Sequence, residues 1–177
     1  MGSCASSVVK NISTFYPCDV MEPIKLPWMS ESEINDLIDS QTICRIALKG
    51  SDYPYLAPFQ YIRLADVLYF HFTDYGIKMR FLQENRKACV QIEYYEPDLS
   101  SYKFVSLRGE LEQVKDLDKY EKAVKMFAEI GKKRLSPKFL AAHGLDPDGD
   151  WDSFNVSKQF VIMKLVNVTD KIGLKSP

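Results

Sequence analysis

The chain has 177 residues, of which 46% are hydrophobic and 27% charged, a composition typical of one globular domain with its own core. Its formal net charge of −1 creates no overall field that would attract nucleic acid or an anionic membrane, so we expect neither as a partner. None of the four cysteines has a C-x-x-C spacing, and Cys44 and Cys89 lie in apolar, strand-like runs. We therefore expect free thiols and a cytoplasmic protein.

Residues 1–28 are predicted to form a flexible N-terminal arm, because they show no sustained periodicity and contain three prolines. The first six residues formally match an N-myristoylation signal. They lack the polybasic patch that would reinforce a single lipid chain, so we expect an unmodified leader of small residues. Residues 29–177 are predicted to form the folded domain.

The domain is predicted to begin with a helix, followed by six strands and further helices. Ser30 and Glu33 form a capping box, and apolar residues at helical spacing extend the helix to Ser40. The predicted strands are residues 42–48, 54–64, 67–72, 88–94, 102–114 and 160–168. The remaining predicted helices are residues 74–84, 116–134 and 136–143.

This order of elements predicts a mainly β (α+β) fold. Meandering strands interrupted by helices favour a small antiparallel barrel with helices outside over a parallel sheet. Pro58 lies within the second strand. Because proline cannot donate to a strand ladder, we expect an edge or a bulge at that position.

The junction between the third strand and the following helix is a candidate anion site. Thr73 and Gly76 follow the strand, and Lys78 falls in the first turn of the predicted helix. A helix N-terminus presents free amide donors, and a lysine there adds a full positive charge. The Thr73 hydroxyl can cap the helix or donate to a phosphate. An ordinary capped surface helix is the alternative, and the local pattern leaves both open.

His71 is a candidate catalytic residue. It alternates with Phe70 and Phe72 along the third strand, so its side chain points away from the face that the phenylalanines share. An imidazole there can donate a hydrogen bond or a proton, although a structural histidine explains the same pattern. With two histidines in the chain and no HExxH or Cys/His cluster, we expect no metal site.

The aromatic run of residues 53–61 is a second unusual feature, because it contains two prolines. Prolines within a strand leave backbone groups unpaired, and such groups can hydrogen-bond a flat heterocycle. An aromatic-rich core strand with an edge bulge is the alternative.

Three blocks in this order resemble the pyridoxamine 5'-phosphate oxidase-related, FMN-binding split β-barrel superfamily, in particular its nitroimidazole-resistance (Nim-type) branch. The blocks are residues 54–59, residues 69–71 followed by Gly76-x-Lys78, and residues 105–110. The resemblance implies a six-stranded antiparallel split β-barrel with peripheral helices. It also implies FMN as the cofactor and a homodimer with the cofactor at the subunit interface.

The resemblance further implies which residues contact the cofactor. Lys78 matches the lysine that contacts the FMN phosphate, and Gly76 belongs to the same phosphate block. His71 and Thr73 match the segment beside the flavin. The other expected cofactor contacts, all on strands, are Arg45, Phe59, Gln60, Tyr61, Ser106 and Arg108. Of these, Phe59, Gln60 and Tyr61 are expected to line the isoalloxazine ring through their backbone.

The function implied by the resemblance is that of an FMN-dependent oxidoreductase reducing a small organic acceptor, with NADH or NADPH as the candidate electron donor. A flavin-binding carrier or sensor without turnover is the alternative. The chain has Thr169-Asp170-Lys171 where many members have Thr-Gly-Lys, and it lacks the basic residues that grip a pyridoxal phosphate substrate. Vitamin B6 oxidation is therefore not expected.

Overall fold

The computed structural model describes residues 25–158 and 160–177. Most of the predicted arm, including its lipidation motif, thus lies outside the described residues. The end of the arm and the first residue of the domain run beside the last strand: the Lys175 amide donates to the Pro27 carbonyl at 3.1 Å, and the Met29 amide donates to the Gly173 carbonyl at 2.9 Å. Within the described residues, no helix is long and apolar enough to cross a membrane.

The described residues form a closed barrel with helices around it. The helices are α1 (Glu31–Ser40), α2 (Ile77–Glu84) and α3 (Leu117–Arg134), with 3₁₀ helices at Pro137–His143 and Trp151–Ser153. The strands are β1 (Ile43–Leu48), β2 (Tyr55–Leu64), β3 (Val67–Phe72), β4 (Lys87–Tyr95), β5 (Tyr102–Gln113) and β6 (Val161–Lys175). The order around the barrel is β1-β2-β3-β6-β5-β4, and every pair is antiparallel. The predicted six-stranded antiparallel barrel with peripheral helices is confirmed.

One face of each strand fills the barrel interior. Side chains alternate along β1, so Cys44 and Ile46 point inward while Arg45 points outward. The other strands contribute the buried residues Phe70, Val90, Ile92, Val105 and Leu111. Cys44 and Cys89 are free thiols, as predicted.

A second apolar layer covers part of the barrel's outer surface and shapes the candidate site. The outer faces of β2, β3 and β6 present Ile62, Tyr69 and Ile162 to the helical segment between β5 and β6. We call that segment, residues 116–158, the cap. Its buried contribution to this layer consists of Ala123, Val124, Phe127, Leu140, Trp151 and Phe154. The cap is therefore part of the domain's core.

The ladder between β2 and β3 is short, and the two strands separate beyond it. β3 pairs with residues 61–64 of β2, whereas residues 55–60 pair with β1 alone. We call residues 55–60 the open edge. It confirms the expectation for Pro58, since a missing N–H on an open edge leaves no ladder bond unmade.

The last strand is longer than predicted. β6 continues past Val168 to Lys175, because a register shift between Arg108 and Glu110 lets it pair with the first half of β5 as well as the second. Asn167, at φ 50°, lies where the strand changes register. Among the residues that follow, Gly173 alone is buried, so this part of the strand lacks the apolar alternation that would have predicted it.

Candidate functional site

The open edge presents backbone groups beside the end of β3. The Tyr61 amide donates to the Thr42 carbonyl at 3.0 Å, so the odd-numbered residues of this half of β2 turn their backbone groups toward β1. By alternation, Pro58 and Gln60 turn theirs to the open side. Of the three residues expected to line a flat ring through the backbone, Gln60 therefore faces the open side, while Phe59 and Tyr61 face β1.

The side chains of Phe59 and Tyr61 point into the barrel. The Phe59 ring stacks on Phe72 with 4.4 Å between ring centroids. The Tyr61 hydroxyl donates to the Ile38 carbonyl at 2.5 Å, and burial raises its pKa. These side chains pack inside the barrel and do not reach the outer face of the open edge.

Helix α2 begins at a glycine turn. Gly76 is the N-cap residue, and its φ of 93° favours glycine over residues with a side chain. None of the described side chains caps the first turn of α2, so its first amides lack a side-chain acceptor. The expectation that Thr73 caps this helix is wrong, and so is the predicted start at residue 74, because the chain enters the helix only at Gly76.

Lys78 lies in the first turn of α2, as predicted, and folds back over the residues before the helix. Its ammonium donates to the Tyr75 carbonyl at 2.9 Å and to the Thr73 hydroxyl. Partial burial lowers the pKa of Lys78, although Asp74 acts in the opposite direction. A hydroxyl, an ammonium and a helix N-terminus thus converge on one spot, an arrangement that suits a phosphate.

His71 points out of the barrel, as its alternation with Phe70 and Phe72 predicts, but the cap covers it. It is 6% exposed, and its Nδ1 lies 2.7 Å from the Nδ1 of His143. Burial, followed by the charges of His143 and Lys78, lowers the pKa of His71 to about 3. Burial lowers the pKa of His143 to about 4. Both imidazoles are therefore neutral at physiological pH, so one Nδ1 donates and the other accepts.

Several buried polar atoms on this outer face have no hydrogen-bond partner among the described residues. They are both amide atoms of Gln60, the Nε2 of His143 and the Nε1 of Trp151. Trp151 lies edge-on to His143 with 5.6 Å between ring centroids. Gln60 lies one residue beyond the last β2–β3 pair, on the same outer face as His71. Because buried polar groups are almost always satisfied, this layer is a polar site rather than plain core.

A cleft of about 280 Å³ opens between the end of β3 and the cap. Its walls include His71, Thr73, Tyr75, His143, Lys158 and Phe160. The rings of Phe154 and Phe160 hold the ring of His71 edge-on, at centroid distances of 5.3 and 4.9 Å. The cleft thus joins the predicted catalytic residue to the predicted phosphate site.

The remaining predicted contacts lie elsewhere on the barrel's outer face. Arg45 of β1 stands beside Pro58 and forms an ion pair with a glutamate of β4. Ser106 and Arg108 lie on β5, two strands beyond β1, and Arg108 pairs with Asp170 at 3.3 Å. Within one chain, Arg45 adjoins the open edge, whereas Ser106 and Arg108 do not.

Two residues of this site, His143 and Trp151, are not predicted from the sequence. His143 precedes Gly144, which has φ 72° and ends a 3₁₀ helix, so a C-cap explains the local pattern completely. His143 lies 72 residues from His71 in sequence, and the packing of the cap on β3 brings the two together. No local signal in the sequence could have paired them.

An antiparallel barrel whose second strand leaves its neighbour halfway defines a split-barrel protein. A family model described as pyridoxamine 5'-phosphate oxidase matches residues 30–142, well over half of the chain. The chain therefore belongs to the pyridoxamine 5'-phosphate oxidase family, as the resemblance implied. Comparison with curated proteins gives no match.

Solved structures share the fold at low sequence identity. An FAD-binding protein from Mesorhizobium loti is 16% identical with a TM-score of 0.61, over 85% of this chain and 96% of that one. An FAD-binding protein from Mycobacterium smegmatis is 13% identical with a TM-score of 0.55, over 84% of this chain and 97% of that one. A candidate 5-nitroimidazole antibiotic resistance protein from Bacteroides thetaiotaomicron is 16% identical with a TM-score of 0.57, over 88% of this chain and 94% of that one.

Proposed function

We propose that the chain binds FMN where the open edge meets α2, and that it is an oxidoreductase reducing a small organic acceptor. The observation that carries this proposal is the convergence of Thr73, Gly76 and Lys78 at the end of β3. Membership of the family supports a flavin, as do the FAD-binding names of two structural neighbours. The free thiols suit a reducing compartment, so a cytoplasmic location is part of the proposal.

The residues at this junction fit a flavin mononucleotide. The first amides of α2 and the Lys78 ammonium supply the positive charge that a phosphate requires, and Thr73 supplies a hydroxyl. Gly76 leaves open space, since a Cβ there would meet only the Lys78 Nζ, at 3.8 Å. On the open side, the Gln60 N–H offers a donor and the Pro58 carbonyl an acceptor to a flat ring. One ammonium and one helix N-terminus match a single phosphate, so we propose FMN rather than FAD.

FMN, when bound, supplies the electron transfer, and the residues of the chain bind and orient the reactants. Lys78 and Thr73 hold the phosphate end, and the Gln60 backbone positions the ring. His71 lines the adjoining cleft, where we place the organic acceptor. Because the pKa of His71 is about 3, its role at physiological pH is to hydrogen-bond the acceptor as a neutral imidazole.

We propose that the chain acts as a homodimer that completes the cofactor site. Large apolar side chains flank the open edge and the start of α2, and their exposed fractions are 82% for Tyr53, 63% for Leu56, 68% for Tyr75 and 47% for Ile77. Such a patch favours association with a second copy. Ser106 and Arg108, which do not reach the open edge of their own chain, are then candidates to contact the partner's cofactor.

Anaerobic stopped-flow measurements test the proposed reaction. The FMN-loaded protein is mixed with NADH or NADPH, and the reduced protein is then mixed with a quinone or a nitroaromatic compound. We expect the flavin absorbance to bleach in the first step and to return in the second. A flavin that neither nucleotide reduces and no acceptor reoxidises would instead support the second candidate function, a flavin-binding carrier or sensor without turnover.

A further inference from the structure

We propose that His143 is a positioning residue that, together with Trp151, holds His71 in the tautomer protonated on Nε2, so that the cleft presents a hydrogen-bond donor to its ligand. The inference deepens the proposed function, on which it rests for identifying the cleft as the acceptor site. The tautomer itself is a property of the chain without cofactor, so it is testable separately.

The hydrogen bond between the two imidazoles allows two arrangements. The Nδ1 atoms are 2.7 Å apart, so one of them carries a proton and donates a hydrogen bond that the other accepts. If His71 donates, its own Nε2 is a bare acceptor. If His143 donates, His71 carries its proton on Nε2, and the Nε2 of His143 is the bare acceptor.

Trp151 selects between these arrangements, because an indole N–H can only donate. Trp151 Nε1 and His143 Nε2 are both buried without a partner among the described residues, and their rings lie edge-on to each other. An unprotonated Nε2 on His143 can accept a hydrogen bond from the indole N–H, directly or through one bridging water. A protonated Nε2 would leave two N–H donors facing each other without an acceptor. The Gln60 amide contains both a donor and an acceptor, so it favours neither arrangement.

The selected tautomer determines which ligand the cleft accepts. His71 lines the cleft. The Nε2 of His143 is buried, whereas the Nε2 of His71 is open to the cleft. The edge-on rings of Phe154 and Phe160 fix the orientation of the His71 ring. Of the charged side chains facing this space, Lys158 and Asp74 line the cleft and Lys78 lies behind Thr73. The ligand class is therefore a small ring compound bearing an acceptor oxygen, such as a nitro, quinone or other carbonyl oxygen.

Imidazole tautomers are measured by two-bond ¹H–¹⁵N correlation spectra of the cofactor-free protein labelled in histidine, near neutral pH. With two histidines in the chain, a His143→Asn variant assigns the signals. We expect His71 protonated on Nε2 and His143 protonated on Nδ1. A Trp151→Phe variant should lose this fixed pattern, while Trp28→Phe, at the chain's other tryptophan, should retain it. His71 protonated on Nδ1 in the unmodified protein would overturn the proposal.

A matched pair of ligands tests the consequence for the cleft. We expect 4-nitrobenzoate to bind about tenfold more tightly than 4-aminobenzoate, which replaces the acceptor oxygens by a donor. His71→Asn keeps an acceptor at the position of Nδ1 but lacks Nε2–H, and should abolish the preference; His71→Gln should restore part of it. Equal affinity for the two compounds, or no binding of either, would refute the ligand class. Failure to bind FMN with the expected tautomer present would overturn the proposed function and leave the tautomer proposal standing.

Discussion

Mild acid should destabilise the protein through its buried histidine pair. The pKa of His71 is lowered to about 3 and that of His143 to about 4, from an ordinary value of 6.5. Below pH 6.5 the unfolded chain therefore binds protons that the folded chain does not, and the free energy of unfolding falls as the pH falls. Between about pH 7.5 and about pH 5 each histidine should account for about 2 kcal/mol, or about 4 kcal/mol together. Because both folded-state values lie below this window, the loss depends little on their exact size.

Urea unfolding of the cofactor-free protein, followed by tryptophan fluorescence across this pH range, measures the loss. His143→Asn removes one titrating group, while its amide can still hydrogen-bond His71. The loss should then fall to about 2 kcal/mol. Lys133→Ala, an exposed change on α3, should leave the loss unaltered. An equal loss in the unmodified protein and in His143→Asn would show that the acid sensitivity arises elsewhere than in the histidine pair.

Three further substitutions test the phosphate site, the packing of the cap and the dimer. Lys78→Ala should weaken FMN binding by about 1.5–3 kcal/mol in a calorimetric titration while leaving riboflavin binding almost unchanged, and unaltered FMN affinity would move the phosphate site elsewhere. Gly131→Ala places a Cβ within 2.2–2.6 Å of the Trp151 ring, and urea unfolding should show a loss of about 1–3 kcal/mol of stability. The control Lys125→Ala, at an exposed position of the same helix, should cost almost nothing. Light scattering should show a dimer that Leu56→Glu dissociates. Leu117→Glu is the control, since Leu117 is 67% exposed and Leu56 63%, and it should leave the dimer intact. A monomer at micromolar concentration would contradict a cofactor site shared between two subunits.

The sequence was sufficient to predict features that depend on neighbouring residues. The capping box of Ser30 and Glu33 is confirmed, with the Glu33 amide donating to the Ser30 hydroxyl at 3.3 Å. The outward direction of His71 follows from strict alternation along β3. The edge position of Pro58 follows from its missing N–H, which excludes it from a fully paired strand.

Features that depend on distant packing could not be predicted. The partner of His71 is His143, and nothing near either residue indicates that the cap folds over β3. The second half of β6 pairs with β5 after a register shift, and its residues show no sustained alternation of apolar and polar side chains that would predict a strand. Gln60 faces the open side because the β2–β3 ladder ends at Tyr61, a point that the local sequence does not indicate. Its side-chain amide is buried and has no partner among the described residues.

Calorimetric titration of the full chain with FMN, FAD and riboflavin measures whether the chain binds FMN through its phosphate. We expect one FMN to bind per chain and to give a yellow protein, and riboflavin, which lacks the phosphate, to bind at least about tenfold more weakly. A protein that stays colourless and shows no heat of binding with FMN would show that the chain is not an FMN-binding protein. Equal affinities for FMN and riboflavin would contradict the phosphate site at Thr73, Gly76 and Lys78.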